Sequence, residues 1–291
     1  MASMADRLRP VPPALTREAD VLAALDRLGA TPSSGNPDHA FLLPASGLLA
    51  MSIPESFGGA DTSNLIVAEV VSRLVTWNAA AAERLLKHLV ALELVRTSGS
   101  TEQRKAIYGR VILGDVFELA APGNGAALPR LVQSGLAFTL EPEGSGLTAG
   151  SADWQIVMAS AAGSEPVAAI LDHARMCPRD ELAAPRLTVH PDYILSAGAN
   201  AERLAHLMTA FLMAAAARGH GGESHRAGAT DLALAVEHEL LDAMIHKAAA
   251  FIDGIQVDDP PIDLEHIGRL CRALDTARLR ALGDHSPAMR S

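Results

Sequence analysis

A few stretches of this 291-residue sequence combine residue types that could do chemistry. His220 and His225 sit in the glycine-rich run GHGGESHR. His238, Asp242 and His246 follow at i, i+4 and i+8, a spacing that puts imidazole and carboxylate ligands on one helix face. Solvated histidines near a helix end are the commoner meaning of such letters, so no metal is expected. The run GNGAAL, from Gly123 to Leu128, opens like a dinucleotide-binding loop but lacks the third glycine and a following βαβ unit. Glu202 beside Arg203 opens a helical stretch, where a first-turn carboxylate meets the positive end of the helix. Cys177 and Cys271 form no CxxC and no disulfide framework, which points to a reducing compartment.

Composition bounds what these residues can serve. The length allows one large or two to three small domains. Apolar residues make up 49% of the chain and aromatics only 3%, which favours tightly packed helices over a sheet-rich sandwich. Twenty-four basic against 34 acidic residues give a net charge of −10, which argues against a nucleic-acid surface. The first residues, MASMADRLRPVPP, lack the apolar core of a signal peptide, and the apolar run Leu204 to Ala217 is short for a bilayer span. A soluble, cytoplasmic protein without a membrane or nucleic-acid partner is expected.

The elements follow from periodicity. A first helix is predicted over Thr16 to Leu28, with Val21, Leu22, Leu25 and Leu28 on one face. The stretch from Gly47 to Leu74, GLLAMSIPESFGGADTSNLIVAEVVSRL, reads as a helix end, an extended arm, a two-glycine turn and a new helix. Pro54 stops helix continuation and biases Ile53 toward extended backbone, Gly58-Gly59 turns the chain, and Thr62 or Ser63 can cap the next helix. Apolar sets at Val67, Val70, Val71, Leu74 and Val75, then at Leu85, Leu89, Leu92 and Val95, have helical spacing, and TEQRKAIYGRVI opens a further helix. From Val116 the texture turns β-prone: VFELA, LAFTL, WQIVMA, VAAIL and RLTV alternate with Gly and Pro and predict a small antiparallel domain. Helical spacing returns over 201–218, 229–253 and 262–282, with a turn at GHGGESHR and punctuation at Gly254. The expected division is helical 1–115, β 116–196 and helical 197–291.

These elements carry a resemblance. IPESFGG with its flanks is similar to the GL-x-G-x-x-V-P-E-x-x-G-G arm of acyl-CoA dehydrogenases and their flavoprotein relatives, and GSTEQRKAIYGRVILGD resembles the G-T-E-E-Q-K-x-x-Y-L-P-x-L-x-x-G helix that follows it. Arg226-Ala227-Gly228 before AVEHELLDA resembles the family's R-x-x-F-G motif, and RLTVHPDYIL its exit from the β domain. The likeness spans roughly residues 15–280. It implies a mostly α protein with a small middle β domain, arranged as in the acyl-CoA dehydrogenases.

The resemblance also implies a chemistry: FAD, with FMN as the alternative, oxidising the Cα–Cβ bond of an acyl thioester in a homodimer or homotetramer. Pro122, Gly125 and Ala126 match the family's flavin-contacting loop, with alanines at the positions of its Thr, Glu, Ser and Asp. Thr148 matches the threonine whose hydroxyl approaches flavin N5, and Arg226 the arginine that contacts the FAD pyrophosphate across the dimer. Glu202 matches the base of isovaleryl- and long-chain-type members, which removes the α-proton while hydride leaves to the flavin. Glu237 replaces a family Gln, where a carboxylate would repel a pyrophosphate. The phrase SGLTAGSADW also resembles one found in flavin-dependent monooxygenases of the same fold, which act on aromatic substrates; Ala152-Asp153-Trp154 can equally be the start of a core strand. A third reading is a non-catalytic remnant that binds a partner subunit through Ile267, Leu270, Leu274 and Leu279.

Overall fold

The computed structural model describes residues 11–30, 39–120, 128–141, 152–161, 166–172, 187–226, 232–258 and 263–282. Among the described residues five helices come first: α1 (Glu18–Gly29), α2 (His39–Ser46), α3 (Asn64–Trp77), α4 (Ala79–Ser98) and α5 (Thr101–Ile112). Seven strands follow: β1 (Phe117–Ala120), β2 (Arg130–Ser134), β3 (Ala137–Glu141), β4 (Trp154–Ala161), β5 (Val167–Asp172), β6 (Leu187–Val189) and β7 (Ile194–Leu195). Then come α6 (Ala199–Arg226), α7 (Leu232–Asp258) and α8 (Leu264–Ala281). Contacts gather the chain into two compact units, one of Pro13–Leu86 with His206–Ser291, the other of Met1–Pro12 with Lys87–Ala205. No helix among the described residues is long and apolar enough to cross a membrane.

In the first unit the arm is built as its residues dictate. Two short 3₁₀ turns, Leu48–Ala50 and Glu55–Phe57, flank Pro54, and Met51 and Ile53 are buried between them. Gly58 takes φ +88°, and the Asp61 and Thr62 amides return to the carbonyls of Ile53 and Met51 at 3.0 Å, closing the loop. Gly59 lies so close to Ile53 that a Cβ would strike its carbonyl. Thr62 and Ser63 do not cap α3 with their side chains. The Ser63 amide donates to Glu18 of α1 and the Asn64 amide to Asp253 of α7, each at 3.0 Å, so two foreign carboxylates occupy the positive end of α3. The Asn64 side chain adds donations to Asp253 and Gln256.

Further along, GHGGESHR is not a turn: α6 runs on to Arg226. Gly219 serves helix packing instead, because a side chain there would meet the Ser72 carbonyl of α3. At the same crossing the Ser72 hydroxyl donates to the Ala215 carbonyl at 2.6 Å, and Arg218 reaches Ser72, Glu69 and Asp242 at 2.8, 3.0 and 3.3 Å. Gly254 also lies inside a helix, with nothing within 4 Å of an added Cβ. The face of α8 expected to be free for a partner is largely covered: Ile267, Leu270 and Leu274 are buried and Leu279 is half-buried, with α8 packed along α7. Asp263 caps α8, and the His266 amide holds its carboxyl below the usual carboxylate range.

The second unit holds the sheet, in the order β6-β3-β2-β4-β5-β7 with β1 also on β4. It is antiparallel except at β4, where β1 pairs in parallel with Trp154–Val157 and β2 with Ser160–Ala161. β2 and β7 are additions to the five strands predicted from sequence. Leu131, Leu140, Val157, Ala159, Leu171 and Val189 form the core of the sheet. Ser100 and Gln103 cap α5 reciprocally, and the Gln103 amide group donates to the carbonyls of Asp192 and Ile194 at 3.0 and 2.9 Å, tying that helix to β7.

Two predictions follow from this packing. Gly59→Ala should lower unfolding stability by about 2–4 kcal/mol through the Ile53 collision, whereas Gly254→Ala should raise it by about 0.5–1 kcal/mol, both read from urea midpoints. Tyr108 of α5 is buried, and loss of solvent, opposed by Arg96, pushes its pKa up to about 12. A folded-state pKa above the unfolded 10.0 means a contribution present below pH 10 and lost as pH rises toward 12. That loss is about 2–3 kcal/mol, and Tyr108→Phe should flatten this part of the stability–pH profile.

Candidate functional site

The site begins with β1, since the segment carrying Pro122, Gly125 and Ala126 leaves from its end. β1 has four residues and, among the described residues, pairs on one edge only, with β4. On its other side stands α4, whose run from Leu85 to Val95 is buried on almost every face. Within that run His88 is wholly buried, and its Nδ1 accepts the Phe117 amide at 3.0 Å. Next to it, Lys87 Nζ lies 3.2 Å from Glu118 Oε1. A side chain thus supplies the hydrogen bond that a neighbouring strand would otherwise give.

The entry to β1 is fixed by Asp153 and Trp154. Asp153 Oδ2 accepts the Val116 amide at 2.9 Å, the Trp154 amide donates to the Val116 carbonyl at 3.0 Å, and Trp154 Nε1 donates to Asp115 at 2.9 Å. The Arg110 guanidinium lies 4.5 Å from the Trp154 ring centroid and 3.7 Å from Asp115. SADW is therefore, from Asp153 on, a junction between the start of β1 and the start of β4. It carries the strand-start reading of those letters and lends no weight to either flavin chemistry.

Register places the ends of the strands that precede the flavin-loop candidates. β1 ends at Ala120 opposite Val157, and β2 begins at Arg130 opposite Ser160. β3 ends at Glu141, paired with Arg130. β1, which leads into the Pro122–Gly125–Ala126 segment, ends at the middle of β4, and β3, which leads toward Thr148, ends beside the start of β2, the strand between β3 and β4. Those four residues themselves lie outside the described residues.

Glu202 is exposed on the first turn of α6, with Arg203 exposed beside it, and Arg226 closes the same helix. Glu237 borders a groove of about 340 Å³ between α7 and α8 that Arg272 and Arg280 also line. Among the described residues no three His, Cys, Asp or Glu side chains group so that they could hold an ion. Asp242 is engaged by Arg218, and His246 Nδ1 lies 2.8 Å from the Asp242 carbonyl. Of the residues now seen to shape this region, His88 escaped sequence reasoning. Its signal was a lone imidazole in the apolar run LLKHLVALELV.

No family model and no curated protein matches the sequence. Solved structures do match the fold. FMN-bound TdsC from Paenibacillus sp. A11-2 superposes with TM-score 0.68 at 15% identity, covering 91% of this chain and 83% of that one. XiaF from Streptomyces sp., in complex with FADH2 and glycerol, gives 0.69 at 14%, covering 94% and 86%. Butyryl-CoA dehydrogenase from Megasphaera elsdenii gives 0.65 at 15%, covering 91% and 88%. The helical, β, helical order read from the sequence is the order these proteins share. The chain has the acyl-CoA dehydrogenase-like fold.

Proposed function

We propose that this chain is a flavin-dependent oxidoreductase. What supports the reading is a fold shared over 91% of the chain with FMN-bound TdsC, together with the sequence signature of a flavin-contacting loop directly after β1. By residue type, Pro122, Gly125 and Ala126 have only main-chain polar groups to give a ring, and Thr148 adds one hydroxyl. A strand pinned by His88 and Asp153 is a rigid support for such a loop. Arg226 is the cation suited to a pyrophosphate, which favours FAD over FMN and a homodimer or homotetramer in which that arginine serves the partner. A bound flavin supplies two-electron acceptance or, when reduced, oxygen activation.

For the finer activity, the first reading is oxidation of an acyl thioester, with Glu202 taking the α-proton and the thioester itself excluding water from that carboxylate. The exposure of Glu202 favours a second reading, a reduced-flavin monooxygenase acting on an aromatic substrate, which needs no such base. The absorption spectrum of the purified protein tests the common part. Flavin bands, or uptake of added FAD or FMN, are expected, and a protein that takes up neither overturns both readings. Acyl-CoA-dependent bleaching of the flavin that disappears in Glu202→Gln supports the dehydrogenase. Bleaching that survives the substitution removes Glu202 from the role, and NADH-reductase-coupled oxygen uptake without bleaching favours the monooxygenase. Separately, His88→Leu should strand the Phe117 amide at a cost of about 1–3 kcal/mol and weaken flavin retention, read by denaturation and by flavin titration.

A further inference from the structure

The chain has six Phe, two Trp and two Tyr in 291 residues, yet three of these rings gather at one place. Phe117 stacks on Trp154 with centroids 5.9 Å apart and planes 12° apart, and Trp154 on Tyr193 at 5.9 Å and 19°. They belong to β1, β4 and the turn before β7, and with α5 they enclose a groove of about 510 Å³. That size lies within the range of small-molecule pockets, roughly 300–1,000 Å³, which are mostly apolar with a few placed polar groups.

Two features separate this groove from a packing gap. Gly109 lines it, and a Cβ there would meet nothing within 4 Å, so the helix leaves open space instead of filling it. Interiors are normally close-packed, and an aromatic cluster that stays open at one side is available to another ring. Leu113 is 60% exposed on the same lining, an apolar group standing in water at an aromatic wall. Arg110 provides the charge. Its guanidinium already covers the Trp154 ring at 4.5 Å, and its one ion pair among the described residues, with Asp115, is long at 3.7 Å. A guanidinium in that position has donors left for an anion while its plane continues the stack.

We propose that this groove is a binding site for a planar aromatic carboxylate, its ring laid against the Phe117–Trp154–Tyr193 stack and its carboxylate on Arg110. The site does not depend on the flavin reading, which is scored by visible absorption alone.

The test uses the full chain and 2-naphthoate as probe. Trp77 and Trp154 are its two tryptophans, so in a Trp77→Phe background the emission reports on the groove. Saturable quenching is expected, with matching heat in calorimetry. Gly109→Leu fills the open space without a collision and should weaken binding at least about tenfold, while urea midpoints hold or rise. Arg110→Gln should weaken 2-naphthoate about tenfold but leave neutral 2-naphthol unchanged. Linear, non-saturating quenching overturns the proposal, as does full affinity in Gly109→Leu. A Gly109→Leu protein that changes oligomeric state while the parent binds no naphthoate makes the groove a protein contact instead and equally overturns it.

Discussion

The sheet depends on where one amide sends its hydrogen bond. β1 is four residues long and, among the described residues, has a strand on one edge only. A buried amide on the other edge would cost more than a short strand gains. Phe117 resolves this through His88, at 3.0 Å, from a helix buried on nearly all sides. The bond requires an unprotonated Nδ1, so the neutral ring is part of the structure. On the opposite edge Asp153 takes the Val116 amide and Trp154 the Val116 carbonyl. Between them these residues fix where β1 starts, hence where it ends, and hence from which point the following loop leaves the sheet.

Much of this fold could be read from the letters, for physical reasons specific to each element. The IPESFGG arm was legible because proline and paired glycines restrict the backbone whatever surrounds them, and Gly58 at φ +88° and the crowded Gly59 show that restriction. Strands rich in Val, Ile and Phe declared themselves in the same way. β2 did not, because Arg130-Leu131-Val132-Gln133-Ser134 has too little alternation, and its partners β3 and β4 decide it. The cap of α3 was equally out of reach. Ser63 has the right chemistry, but Glu18 and Asp253, distant in sequence, reach the helix end first. GHGGESHR looked like a break because glycine weakens isolated helices by about 1 kcal/mol each. Packing against Ser72 makes Gly219 the residue that fits there. Of the candidate site, the strands that lead to it were legible, while its support by His88 was not, since a lone core imidazole looks the same whether or not it holds a strand.

The helical unit answers a related shortage. A chain rich in alanine and with 3% aromatics buries less apolar area per helix contact than one rich in leucine and phenylalanine. Small residues let the backbones approach, and polar side chains then reach between helices. Ser72, Arg218 and Gly219 do this at the α3–α6 crossing, and Asn64, Asp253 and Gln256 at the α3–α7 crossing. Arg218 is partly buried and meets two carboxylates, which keeps its charge compensated where water is scarce. Such clasps are directional, so they also fix the rotation of each helix about its axis. That rotation decides which residues of α6 and α7 face outward, Glu202 and Leu240 among them.

Residues that look like chemistry in a sequence compete with residues that hold a strand, and here several went to structure. Asp153, Trp154 and His88 are spent on β1, and Asp242 on Arg218. Glu202 makes the opposite case, a carboxylate on a first helical turn that α6 does not bury. An exposed carboxylate is a weak base toward a carbon acid until something removes water from it. A dehydrogenase on this scaffold would therefore rely on its own substrate to enclose the base, whereas a monooxygenase would need only the ring held flat and a dry space above it. A dehydrogenase that uses Glu202 as its base needs that charge, and a monooxygenase does not.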